Sequence, residues 1–205
     1  MSAEVQVGSG VVDPGVVVGY EPGRPVERGL RLGVDHVLRS GTVIYLGSRI
    51  GDRFQTGHNV VVREQADIGD DVSVWTGSVV DYGVRIGDGA KIHTSCYVAQ
   101  HSEIGPGAFL APGVAFANDL YPGDEDSADL MRGPVIGAGA QIGVNVTVLP
   151  YVRIGEGTIV GAGSVVTRDL PAGVIAYGNP ARPHGEVDAR IPIGERAPFD
   201  GTVDR

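Results

Sequence analysis

From Ile44 to Phe116 an apolar or β-branched residue returns at every sixth position: Ile44, Ile50, Thr56, Val62, Ile68, Val74, Val80, Ile86, Ile92, Val98, Ile104, Leu110 and Phe116. The series lapses, then resumes as Ile136, Ile142, Val148, Ile154, Val160 and Val166. A helix repeats at about 3.6 residues and a plain strand at about 2, so neither generates this period. A six-residue repeat predicts a parallel β-helix, a coil of short strands that stacks on itself.

The positions between the anchors sharpen this reading. Four residues after an anchor stands a small or β-branched residue, as in Ser48, Ala66, Val84, Cys96, Ala108 and Val146. It lies two before the next anchor, so strand alternation points both inward. Three residues after an anchor, Gly or Asn is frequent, as in Gly47, Asn59, Gly83, Gly113 and Asn145. These residues tolerate the positive φ that a sharp corner requires. Six residues thus make one strand and one corner, and three such units close a triangular coil.

Residues 18 apart should then stack at about 4.8 Å, and the outward positions sort into three columns. Val43, Val61, Val79, Tyr97 and Ala115 form an apolar one. Arg49, Asp67, Arg85 and Glu103 alternate in sign, while Gln55, Ser73, Lys91 and Phe109 are mixed. A continuous apolar strip predicts a subunit interface and a closed cyclic oligomer. The alternating column reads as a solvated ladder.

The ends and one interior segment depart from the repeat. Within residues 1–40, Val12 and Val18 fit the six-step, Glu21 to Gly29 interrupts it, and Leu32 and Leu38 rejoin it, which predicts an irregular capping coil with a looped-out insertion. A second insertion is expected near 117–134, beginning Ala117-Asn118-Asp119-Leu120-Tyr121-Pro122. The β-helix domain is expected to span 1–182, with a loosely attached tail over 183–205.

Composition narrows the setting. At 205 residues, one domain is expected. The single cysteine, Cys96, falls on an inward position and excludes a disulfide framework. Neither a leader nor a long apolar span is visible, which predicts a cytoplasmic protein. A net charge of −9 argues against nucleic-acid or anionic-membrane partners. With one lysine among 16 basic residues, any anion site has to come from arginines and backbone N–H groups.

The hexapeptide run, the phrase from Ile154 to Val166 (IGEGTIVGAGSVV) and the Gly178-Asn179-Pro180-Ala181-Arg182 ending resemble the left-handed β-helix hexapeptide acyltransferases, over about Leu32 to Arg182. Phe116 to Pro122 followed by a loop resembles the branch that N-acylates nucleotide-linked amino sugars, nearest to the 3-amino-sugar enzymes. The resemblance implies an all-β, left-handed coil, a homotrimer, and transfer of an acetyl group from acetyl-CoA to a sugar amine. It also implies a pantetheine path by Gly143, Gly161, Ala162 and Ser164, with Arg168 and Arg182 at the nucleotide end of the coenzyme. For any single glycine, corner geometry is the stronger reason.

Amine acylation needs an unprotonated amine, donors for an oxyanion and a route for the proton. His101, at a corner beside the apolar column, is the candidate base, and Asp119 is expected to stack on it as a dyad partner. Asn118 and Tyr121 are assigned to sugar or nucleotide binding. Other readings stay open: O-acetylation of a sugar or antibiotic hydroxyl, a zinc site of the carbonic-anhydrase kind, or a scaffold without catalysis. The phases of His58, His93 and His101 disagree, so no metal is expected.

Overall fold

The computed structural model describes residues 4–26 and 28–187. Strands of mostly two residues wind into a triangular prism with three parallel sheets as its faces. Among the described residues, the first face has eight strands, from Val5–Val7 to Arg153–Ile154. The second has ten, from Gly10–Val12 to Ala181–Glu186. The third has eight, from Val17–Tyr20 to Val165–Val166.

The 18-residue stacking holds on every face. Arg49, Asp67, Arg85 and Glu103 are successive partners on the first. Gln55, Ser73, Lys91 and Phe109 follow one another on the second. Val43, Val61, Val79, Tyr97 and Ala115 do so on the third.

Both predicted inward positions fill the prism. The anchors, and Ala66, Val84, Cys96, Ala108 and Val146, are buried in one continuous core. A buried Val or Ile contributes about 1.5–3 kcal/mol relative to exposure, so stacking identical rungs builds stability by repetition. The inward hydroxyls bond to backbone of the neighbouring rung or their own turn: Ser48 Oγ donates to the Arg63 carbonyl at 2.9 Å, Ser78 Oγ to that of His93 at 2.7 Å. Burial raises the Cys96 thiol above its ordinary pKa.

The corners are left-handed as expected, but not reserved for Gly and Asn. Arg53, Gln65, Asp71, Ser95, His101 and Tyr151 also take positive φ. On the edge joining the first and second faces, carboxylates brace the corners. Asp52, Asp70 and Asp88 each accept the backbone N–H of residue 34, 52 or 70 one rung below, at 2.8–2.9 Å.

Two insertions interrupt the prism. The first leaves after Val17–Tyr20 and returns at Leu30–Leu32; the second leaves after Ala115–Phe116 and returns at Val135–Ile136. Both therefore depart from the same edge, between the third and first faces. The second carries a single helical turn, Ser127–Leu130.

At the C-terminal end the expected tail begins as a strand. Ala181–Glu186 pairs antiparallel with Val174–Gly178, and the His184 imidazole stacks on the Tyr177 ring at 3.8 Å. The rest of that segment, 188–205, lies outside the described residues.

Candidate active site

The edge between the third and first faces carries four short corners between the two insertions: residues 46–48, 63–66, 81–84 and 99–102. His101 is the outer residue of the last, with φ of 57°. Its ring lies over the preceding corner, where a Cβ at Gly83 would meet His101 Nδ1 at 2.8 Å. Tyr82 packs edge-on against the imidazole at 5.1 Å. Burial, then the positive charges of Arg132 and Arg24, hold this imidazole below its ordinary pKa.

Below His101 lies a polar network. Glu64 is fully buried at the corner two rungs down. Arg63 holds it with two hydrogen bonds of 2.9 and 3.0 Å, and Arg24 from the first insertion adds an ion pair at 2.9 Å. Asp81, almost as buried, accepts the Tyr82 N–H and the Tyr97 hydroxyl, both at 2.7 Å. Arg28 pins the same insertion by donating to the Gly47 carbonyl at 2.7 Å and to Asp67 at 2.9 Å. Burying a carboxylate is tolerable only where its lone pairs are met, and here the arginines of corner and insertion meet them.

Asp119 does not stack on His101. The second insertion shifts the register, so that Glu103 pairs with Val135 and the residue over His101 is Gly133. The Gly133 N–H donates to the Gln100 carbonyl at 3.0 Å, completing that corner. Asp119 instead accepts the Tyr121 N–H at 2.8 Å. Among the described residues, no hydrogen bond or ion pair links it to His101. With Leu120, Tyr121, Leu130 and Tyr151 it lines a cavity of about 280 Å³ within the insertion. The Asn118 carbonyl accepts the Arg132 N–H at 2.8 Å at the neck of the loop.

The residues assigned to the coenzyme divide between two edges. Gly143, Gly161 and Ala162 lie at the edge between the second and third faces, in consecutive upper rungs. The column of first corner residues there shrinks upward from Trp75 and His93 to Ala111, Gly143 and Gly161. Close rung stacking is reason enough for Gly143, since a Cβ would meet Ala162 N at 2.6 Å. Ser164 points inward, donating to the Gly161 carbonyl at 2.6 Å and accepting the Gly178 N–H at 3.1 Å, so its hydroxyl is unavailable to a ligand. Arg182 is exposed opposite Tyr177 in the final hairpin, whereas Arg168 follows the last strand of the third face, on the His101 edge.

His58 and His93 also sit on the second–third edge. His58 Nδ1 lies 2.9 Å from Ser40 Oγ, and His93 meets Trp75 edge-on at 3.9 Å. They face a different edge of the prism from His101. Among the described residues no cluster of metal-ligating side chains is present, and no helix is long and apolar enough to cross a membrane.

Residues 133–168 match the bacterial transferase hexapeptide (six repeats) family. That segment forms the upper rungs of the prism, from Val135–Ile136 to Val165–Val166. Relatives match this chain over limited stretches. A Staphylococcus aureus (strain MRSA252) protein, provisionally named an acetyltransferase, is 48% identical over 61 residues, which is 29% of this chain and 31% of that protein. The dTDP-3-amino-3,6-dideoxy-alpha-D-galactopyranose 3-N-acetyltransferase of Aneurinibacillus thermoaerophilus is 53% identical over 53 residues, 26% of this chain and 28% of that enzyme. The matched stretches thus span about a third or less of these relatives' length. The crystal structure of the polySia-specific acetyltransferase NeuO aligns with 91% of this chain and 87% of that one, with a TM-score of 0.57 at 20% identity. That likeness is one of fold.

Position-by-position reading of the sequence missed Arg24, Glu64, Asp81, Tyr82 and Arg132. The 18-residue spacing places Tyr82 under Gln100 and Gly83 under His101, so part of the network was open to arithmetic. Arg24 and Arg132 belong to segments without a period, and only the fold brings them to this edge.

Proposed function

We propose that this chain transfers an acetyl group from acetyl-CoA to the amine of a nucleotide-linked amino sugar, with His101 as the base. The observation that carries this reading is the position of His101: an imidazole biased toward its neutral form, on the edge that both insertions leave. The resemblance of part of the chain to a dTDP-amino-sugar N-acetyltransferase supports the choice of acceptor.

In the proposed reaction the amine nitrogen attacks the thioester carbonyl carbon, and the C–S bond breaks as the new C–N bond is completed. The N–H proton passes to the His101 imidazole and then to the departing thiolate, which leaves as CoA thiol. A neutral imidazole at working pH is the form that can accept this proton. Asp119 has no part in it.

His101 and the Gly143–Gly161–Ala162 column lie on the two edges that flank the third face, so one chain does not bring them together. That face carries the Val43, Val61, Val79, Tyr97 and Ala115 column. A homotrimer closed through it would set the glycine edge of one copy beside the His101 edge of the next. This supports the trimer and a coenzyme path between subunits.

The test is a panel of nucleotide-linked amino sugars with acetyl-CoA, read as free thiol release. Release dependent on the amine is expected. Turnover only with hydroxyl acceptors would replace N-acetylation by O-acetylation, for which a neutral base is also suited. No turnover together with no acetyl-CoA binding in calorimetry would leave a scaffold.

A further inference from the structure

Two cationic side chains approach His101 from opposite ends of its edge. Arg24 comes from the first insertion, its guanidinium 4.5 Å from the centre of the Tyr82 ring that packs against the imidazole. Arg132 comes from the second, immediately before Gly133 closes the corner beside His101. Its side chain is exposed and, among the described residues, makes no ion pair or side-chain hydrogen bond.

The two carboxylates of the corners below His101 are already committed, and those of the second insertion, Asp124, Glu125, Asp126 and Asp129, are exposed. Glu64 is buried beneath Arg24 and Arg63, and Asp81 beneath Tyr82 and Tyr97. Arg85 on the adjoining face pairs with Glu103 at 3.2 Å. Among the described residues, Arg24 pairs with Glu64 through its Nε and keeps its two terminal nitrogens clear of hydrogen bonds to carboxylates, while Arg132 has no carboxylate partner, in a chain whose net charge is −9. Both guanidiniums are set by their insertions rather than by the repeat, so the cationic rim is an added feature of this edge. Guanidinium forks match phosphate oxygens in geometry as well as charge.

We propose that Arg24 and Arg132 form a clamp for an organic pyrophosphate, one arginine from each insertion, seated across the His101 edge. The clamp selects a phosphorylated ligand over a neutral sugar and sets its reactive end at the imidazole. The identity of that ligand rests on the acyl-transfer reading. Both reactants of that reaction contain a pyrophosphate, the acceptor in its nucleotide and the donor in CoA, and the experiment separates them.

The His101 imidazole resonances, assigned with a His101→Asn variant, are followed by NMR while inorganic pyrophosphate is added to the full chain at low salt. Saturable binding with Kd below about 1 mM is expected, together with a rise in the His101 titration midpoint as the anion offsets the two arginines. Arg24→Gln and Arg132→Gln should each weaken binding by about tenfold. Glu64 keeps Arg63 in the first variant, and the second alters only an exposed side chain, so Arg132→Gln decides the matter if Arg24→Gln fails to fold. Displacement of pyrophosphate by a nucleoside diphosphate assigns the clamp to the acceptor, and displacement by CoA assigns it to the donor. No binding, binding unchanged in both variants, or displacement by neither compound would overturn the proposal. None of these readouts requires turnover, so failure of the acyl-transfer reading would show separately, as an absence of thiol release.

Discussion

His101 is where the chemistry is most exposed to test. Because burial and two arginines hold its pKa down, the imidazole stays neutral to a lower pH than a free one. As pH rises, kcat/KM should climb through a His101 midpoint below the ordinary value of about 6.5, and climb further as the acceptor amine loses its own proton. Replacing Arg132 by Gln removes one of the charges that disfavour the imidazolium, so the midpoint should move upward in the pH–rate profile. His101→Ala should lower kcat by about 10²–10⁴ if the imidazole is the base. A loss of only a few-fold would make it a positioning residue. At Glu64 the expectation concerns stability. Glu64→Gln removes the charge that Arg24 and Arg63 were placed to meet, and should cost about 1–3 kcal/mol in denaturant unfolding. His101 was legible in the sequence because an imidazole at a corner that favours Gly or Asn stands out. Glu64 was not, since a glutamate at a corner reads as solvated until an arginine from a distant loop is seen to cover it.

Among the elements, rungs and insertions differ in how far arithmetic reaches. Every strand pair from Val43 to Phe116 follows the 18-residue rule, because a buried residue at each anchor leaves a rung only one register. The same rule failed for Asp119. It counts residues only while the chain stays on the prism, and after Phe116 the chain leaves it. Gly133 marks the return, and a Cβ there would collide with Ser102 Oγ and the Gln100 carbonyl. Gly133→Ala should therefore displace the neck of the second insertion and with it Arg132. Raised amide exchange across residues 117–134, with unchanged protection in the lower rungs, would show this. The carboxylate ladder carries a milder expectation. Asp70→Ala deletes an acceptor for the Asp52 N–H and should cost about 1 kcal/mol in thermal unfolding.

For the molecule as a whole, the third face is decisive. Its apolar column is continuous over five rungs and interrupted by no charge, while the first face alternates Arg with Asp or Glu. A carboxylate placed mid-column would have to be desolvated in a closed assembly. Sedimentation should find an oligomer for the native chain and a lighter species for Val79→Glu, with the circular dichroism of the β-helix retained. The faces were readable from the sequence because each outward column repeats at fixed spacing. The convergence of both insertions on one edge was not, since loop departures are fixed by which strand precedes them and loop contents by no period at all.

That shared edge gives the protein an adjustable gauge. The insertions hang from rungs five steps apart, roughly 24 Å along the prism axis, and the backbone of every rung between them repeats that of its neighbours. Excising one 18-residue turn, or duplicating one, would leave each remaining layer a partner to rest on and shift the two loops by about 4.8 Å relative to each other. Reach between the loops can thus change only in whole layers, a quantum fixed by the spacing of stacked backbones rather than by any side chain.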